Sequence, residues 1–220
     1  TLRITVRLEL DPPITPVISD DQMGSVSLGE SLTLDAALTP NRLGQQGAFV
    51  WDVDAGVDAD EDGDFTNDAD ATGLSVAASW EVPGTKTVTV TMTAPSGQSA
   101  SSTHTVTVED TVSPVARIQT NGTPVSNGWR VNVNDAVELT CASSTDDHFV
   151  SSCDWTVDGT SYVNTTTVQW TPDEIRSHVV VLMVKDQSGN VGNATGIINS
   201  VDPTLPCLLY TSPSPRDTRE

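Results

Sequence analysis

VVVLMVKDQSGN, residues 179–190, carries the clearest strand-and-turn pattern in the chain. Val180, Leu182 and Val184 alternate with Val181, Met183 and Lys185, a period of two that marks an extended strand with one buried face. Ser188-Gly189 then supplies a hairpin turn. The same grammar occurs earlier, where Val88, Val90 and Met92 alternate with threonines and Ser96-Gly97 follows. Each run is preceded by a tryptophan, Trp80 or Trp170, and further upstream Trp51 answers Trp155, with Asp54 and Asp158 three residues on. Val26, Leu28, Leu32 and Leu34 match Val131, Val133, Val137 and Leu139 around the turns Gly29-Glu30 and Asn134-Asp135. Short strands at regular spacing with no helical period predict an all-β chain of tandem sandwiches. Pro172–Arg176 is read as a loop.

The proline-rich joints around Pro16 and Pro114 stand about one sandwich domain apart. They divide the chain into a last strand of a preceding repeat with its linker at 1–12, one sandwich at 13–110, a second at 111–202, and a tail at 203–220. Leu2, Ile4, Val6, Leu8 and Leu10 alternate as that first strand should. The tail is set apart because CLLYTSPSPRD, residues 207–217, resembles a translated sequencing-library adapter and shares nothing with the strands before it.

A net charge of −20 and a sequence pI near 4.1 argue against nucleic-acid partners, whose phosphates would repel this chain. Anionic membranes would repel it as well unless divalent cations bridged the two. No apolar run approaches the ~20 residues of a spanning helix. The chain begins at Thr1 with no leader in view, which reads as a fragment of a secreted or cell-surface protein.

The charge is concentrated in DADEDGDFTNDAD, residues 58–70, and the wider span Asp52–Asp70 holds nine carboxylates with no Lys or Arg between Arg42 and Lys86. Carboxylates this dense repel one another unless a cation or water screens them. D-x-D-x-D-G presents alternate oxygens to a hard cation, the glycine allowing a sharp turn. Asp58, Asp60, Asp62, Asp64, Asp68 and Asp70 are therefore the candidate Ca2+ ligands, with Asp64 offering its backbone carbonyl. The pattern departs from an EF-hand, because its twelfth position is Ala69 and strands flank it. The alternative is a solvated acidic loop kept for solubility. Phe65 is the one apolar residue expected to anchor the segment.

Taken together, SSTDDHFVSSCDWTVDG (residues 143–159) and the opening stretch resemble a PKD domain, an immunoglobulin-like β-sandwich family. The family carries Ser-Thr-Asp after its second strand, a Trp-Asp-Phe-Gly-Asp-Gly-like segment, and a late strand ending in Asp-x-x-Gly-Asn. FVWDVDAG (49–56) and VPGTKTVTVTMT (82–93) give the first sandwich a looser likeness, interrupted by the acidic insertion at 56–72. The second departs in having Thr156 where the motif has Asp. The resemblance implies non-catalytic modules of secreted or surface proteins, and a scaffold does not by itself transfer a function.

Cys141 and Cys153 should point inward from facing strands, while Ala36 and Phe49 hold the same places in the first repeat. A disulfide is expected; two buried free thiols are the alternative. Asn121, Asn164 and Asn193 open glycosylation triplets, a weak signal in a chain so rich in Thr and Asn. The paired tryptophans read as core, which leaves Trp129 as the candidate ligand contact. No nucleophile elbow or metal-binding histidine pair is present, and Asp146-Asp147-His148 reads as turn chemistry. The expected function is a calcium-stiffened extracellular spacer or adhesion module whose partners are neighbouring repeats and a cell-surface protein or glycan. The alternative is a glycan- or protein-binding accessory region of a truncated secreted hydrolase.

Overall fold

The computed structural model describes residues 14–40, 47–59, 61–65, 68–125 and 127–204. The strand expected at 1–10, Asp60 and the adapter-like tail lie outside the described residues. The described chain is all-β and divides into two compact units, 1–111 and 112–220.

In the first unit the strands are β1 (Ser19–Asp20), β2 (Ser25–Ser27), β3 (Leu32–Asp35), β4 (Ala48–Asp52), β5 (Ala71–Thr72), β6 (Ser75–Ala78), β7 (Gly84–Thr93) and β8 (Ser99–Glu109). They form a sheet β1-β3-β6 and a sheet β2-β8-β7-β4-β5. After β1 the chain leaves the first sheet and β2 joins the second, parallel to the last strand β8. Asp20 holds this crossing: its Oδ1 accepts the amides of Gln22 at 2.9 Å and Gly24 at 2.8 Å, and its Oδ2 meets His104 Nε2 at 2.8 Å. An early strand that switches sheets to run beside the last one is immunoglobulin-like order. Val26, Leu32, Leu34, Trp51, Trp80, Val88, Val90, Val106 and Val108 fill the space between the sheets.

The second unit repeats the plan. Its strands are β9 (Gln119–Thr120), β10 (Thr123–Pro124), β11 (Trp129–Asn132), β12 (Val137–Thr140), β13 (Val150–Val157), β14 (Thr160–Tyr162), β15 (Thr167–Trp170), β16 (Ser177–Asp186) and β17 (Val191–Val201). The sheets are β10-β9-β12-β15 and β11-β17-β16-β13-β14, with β11 parallel to β17. The close passage of the incoming chain is built around Gly192, where a Cβ would fall 1.7 Å from the Pro114 carbonyl oxygen.

Register bears out most of the internal repeat. Trp51 pairs with Val90 as Trp155 pairs with Leu182, and both indoles are buried. Their ring N–H groups donate to Gly73 O at 2.8 Å and Thr165 O at 2.9 Å. The match of Trp80 with Trp170 is two residues out. Leu32 pairs with Ala78, whereas Val137 pairs with Trp170. Trp80 corresponds to Pro172 instead, since their carbonyls accept from Gly29 N at 3.0 Å and Asn134 N at 2.8 Å. A slip of two preserves the face of every side chain, so an alternating sequence does not reveal it.

Cys141 and Cys153 are joined in a disulfide, with Cα atoms 6.7 Å apart, within the second core. Ala36 is buried and Phe49 half-buried at the corresponding places in the first.

Candidate functional site

The acidic insertion leaves the first sandwich at the end of β4 and returns at β5, and the described part braces itself through carboxylate-to-amide bonds. Asp58 accepts the amides of Asp62 at 3.1 Å and Gly63 at 3.0 Å, and Asp62 accepts that of Asp64 at 2.7 Å. Glu61 and Gly63 both have positive φ, at 59° and 89°, which gives the tight turn the D-G pair was expected to make. Asp68 closes the base by accepting the Ala59 amide at 3.0 Å. Asp70 is stitched to β4, donating its amide to Trp51 O at 2.9 Å and accepting Val53 N at 2.8 Å. Asp62 and Asp64 are exposed and Asp58 half-buried. Among the described residues, no three carboxylates of this insertion bring oxygens within 4.8 Å of one another.

The expected apolar anchor is not one: Phe65 is 47% exposed. What the insertion buries is charge. Asp68 is 2% exposed, and Asp52 at the end of β4 is 3% exposed. Strand alternation turns Trp51 into the core and Asp52 to the opposite face, where its cross-strand partner Thr89 is buried too. Asp52 Oδ1 accepts the Asp54 amide at 3.1 Å, while Oδ2 is buried with no hydrogen bond. Burial, and then the charges of Asp70, Asp68 and Asp54, push the Asp52 carboxyl up to about 6, against the opposing Asp54 amide. Lys86, the cation on neighbouring β7, is held by Asp54 Oδ2 at 2.9 Å. Asp52 was absent from the ligands expected from sequence. The signal was its place on a strand directly after a core tryptophan, inside a span without a basic residue.

The second unit assembles residues that are scattered in sequence. His178, 1% exposed, has Nδ1 at 2.5 Å from Asp158 Oδ2 and Nε2 at 2.9 Å from Ser200 Oγ. The order Asp–His–Ser is that of a hydrolase triad, but the hydroxyl is engaged otherwise. Ser200 is 3% exposed and its Oγ–H donates to the Glu174 carbonyl, a closed arrangement that ties β17 to the 174–176 loop. Arg176 adds a bond from Nη2 to Asp158 Oδ2 at 2.8 Å. Burial alone would raise the Asp158 carboxyl; His178, Arg176 and the Val179 amide outweigh it and hold the group below the usual carboxylate range. Elsewhere in this unit Asp146 and Asp186 bring carboxylate oxygens within 4.8 Å of each other. Asp186 accepts the amides of Gly189 at 2.6 Å and Asn190 at 2.8 Å, and the Asn190 side-chain amide at 2.7 Å.

Asn121, Asn164 and Asn193 are all exposed. Trp129 is only half-exposed: its ring packs against the second core, and it borders a shallow hollow of about 240 Å3 with Asn121, Asn132 and Asp135. No described helix is long and apolar enough to cross a membrane.

The strand order defines two tandem immunoglobulin-like β-sandwiches. No protein-family model matches the chain. No curated protein matches it either. Solved structures do. Fibronectin(III)-like modules of Clostridium thermocellum CbhA align at 13% identity over 84% of this chain and 95% of that one, with a TM-score of 0.33. Murine CEACAM1b aligns at 16% identity over 86% and 100%, with a TM-score of 0.35. A 1.5-MDa bacterial ice-binding adhesin aligns at 17% identity over 85% and 65%, with a TM-score of 0.31. Those TM-scores are low, so the fold assignment rests on the strand pairings themselves.

Proposed function

We propose that the chain is a non-catalytic spacer and adhesion module of a larger extracellular or cell-surface protein, made of PKD-type repeats at 13–110 and 111–202 and stiffened by calcium in the 58–70 insertion. The observation that carries this reading is the insertion itself, whose carboxylates gather at the β4–β5 end of the first sandwich with Asp68 buried among them. An oxygen-only donor set without octahedral order suits calcium better than magnesium, which demands a tighter octahedral shell. Extracellular calcium is abundant enough that a dissociation constant of about 10⁻⁴–10⁻³ M suffices. The Cys141–Cys153 disulfide fits an oxidising compartment. A net charge of −20 keeps such modules apart in salt water.

Limited proteolysis of the 220-residue chain tests this reading. Cleavage between 56 and 72 should be suppressed by calcium and not by magnesium; equal cleavage in calcium and in chelator would refute it. A second reading, glycan binding, is favoured by the half-exposed Trp129 beside two asparagines. It predicts quenching of tryptophan fluorescence by oligosaccharide, lost in Trp129→Ala.

A further inference from the structure

We infer that the hollow beside Trp129 in the second sandwich seats one neutral pyranose ring, the end residue of a glycan, and that the buried Thr120 hydroxyl is its specificity-determining contact. This rests on the glycan reading above and deepens it, since Trp129 becomes one wall of a site with a polar floor and rim.

The register of the two repeats shows how the hollow arises. Ser19 pairs with Asp35 and Gln119 with Thr140, so Thr120 stands where Asp20 stands in the first unit. Val88 pairs with His104 and Val180 with Gly196, which makes Gly196 the counterpart of His104. Val26 pairs with Val108 and Val131 with Ser200, so Trp129 takes the place of Gly24. In the first unit these positions close on one another: Asp20 accepts the Gly24 amide and meets His104. In the second, the acid is a threonine, its imidazole partner is a glycine, and the small residue is a tryptophan. Val125 lies against Gly196, where a Cβ would fall 3.0 Å from its Cγ1, so the space of the lost imidazole is filled from the β9–β10 hairpin.

What remains at Thr120 is polar and enclosed. The residue is 0% exposed, and its Oγ1 has no hydrogen-bond partner among the described residues. A buried hydroxyl without a partner is costly, and native proteins rarely retain one without a use. Thr120 borders the hollow of about 240 Å3 together with Trp129, Asn132 and Asp135. On the rim Asn132 Nδ2 donates to Asp135 Oδ2 at 2.8 Å, which sets an amide and a carboxylate side by side. The volume falls below the ~300–1,000 Å3 of pockets that take drug-sized molecules, which limits the occupant to about one ring. A pyranose offers an apolar C–H face to an indole and a rim of hydroxyls to an amide, a carboxylate and a threonine. Asp135 and the net charge of −20 disfavour acidic sugars.

Amide NMR of the full chain, titrated with D-galactose, D-mannose, D-glucose and N-acetyl-D-glucosamine, with D-glucuronate as the charged control, tests this. At least one neutral sugar should shift the Thr120, Trp129, Asn132 and Asp135 amides saturably, and glucuronate should not; equal shifts by glucuronate would overturn the neutral class. Thr120→Val, which keeps the shape and deletes the hydroxyl, should weaken that sugar by about tenfold. It should also hold or raise the melting temperature of the second unit, because an unsatisfied group is gone; a threonine with a purely structural bond would lower it. Asp135→Asn, on the exposed rim, should weaken the same sugar and decides if Thr120→Val misfolds. Suppose oligosaccharides of these sugars quench fluorescence that Trp129→Ala removes, while no single sugar moves these amides or Thr120→Val binds as wild type does. This inference then falls and the glycan reading stands. If neither oligosaccharide nor single sugar has an effect, both fall.

Discussion

Asp158 Oδ2 lies 2.5 Å from His178 Nδ1, at the place in the second sandwich where Asp54 Oδ2 and Lys86 Nζ stand 2.9 Å apart in the first. Each carboxylate sits three residues beyond its core tryptophan, and each partner sits two residues before Val180 or Val88. The two repeats thus fasten the same pair of strands with different basic side chains. In the second, Ser200 and Arg176 extend the fastening to the last strand. His178→Ala would leave a void and buried polar groups without their partner, a loss of about 2–4 kcal/mol. Calorimetry should show the second unit melting roughly 10 °C or more lower, with the first unchanged.

The Asp158 carboxyl also sets an acid limit. Its folded pKa lies below the ordinary 3.8, so its contribution is present above that value and is lost as pH falls through the lower folded one. Melting of the second unit should therefore weaken below about pH 4, and Asp158→Asn should flatten that limb.

Asp52 predicts the opposite slope in the first unit. Its folded pKa is raised to about 6, so the folded state binds the extra proton between 3.8 and that value. In calcium-free buffer the stability it confers is full below 3.8 and is lost as pH rises through about 6. The first unit should melt a few degrees higher at pH 5 than at pH 7. Asp52→Asn should remove the difference.

Reducing Cys141–Cys153, which closes a loop with a sequence separation of 12, should cost the second unit about 3 kcal/mol. Its melting temperature should fall by roughly 10 °C or more. Cys141→Ala/Cys153→Ala should reproduce this without a reductant.

Much of the architecture was legible because its elements are strongly periodic. Val88, Val90 and Met92 declare their faces, as do Val180, Leu182 and Val184, and Trp51 and Trp155 repeat in register. The disulfide was legible because strand alternation points Cys141 and Cys153 inward from facing strands, at the places held by Ala36 and Phe49 in the first repeat. What stayed hidden depends on long-range pairing. The two-residue displacement of Trp80 from Trp170 leaves the alternation intact. Asp52 looked like one more acid in a crowded span, because local spacing selects residues that share a turn. It is buried where the returning chain meets β4, Asp70 accepting the Val53 amide from eighteen positions beyond Asp52. Thr156 holds the corresponding place in the second repeat, where a tight turn at Asp158-Gly159 takes the place of an insertion and the position stays half-exposed. His178 and Ser200 were likewise unrelated in sequence until β16 and β17 paired.

If calcium clamps the first sandwich, thermal unfolding of the full chain will differ between millimolar calcium, excess chelator and magnesium. A site filled 100-fold above its dissociation constant adds about 2.7 kcal/mol to the unit that binds. The first transition should rise by roughly 10 °C or more in calcium alone, with the second unmoved and the shift abolished in Asp60→Asn/Asp62→Asn. Superimposable melts in all three buffers would rule out a calcium clamp and leave residues 58–70 as a solvated acidic loop.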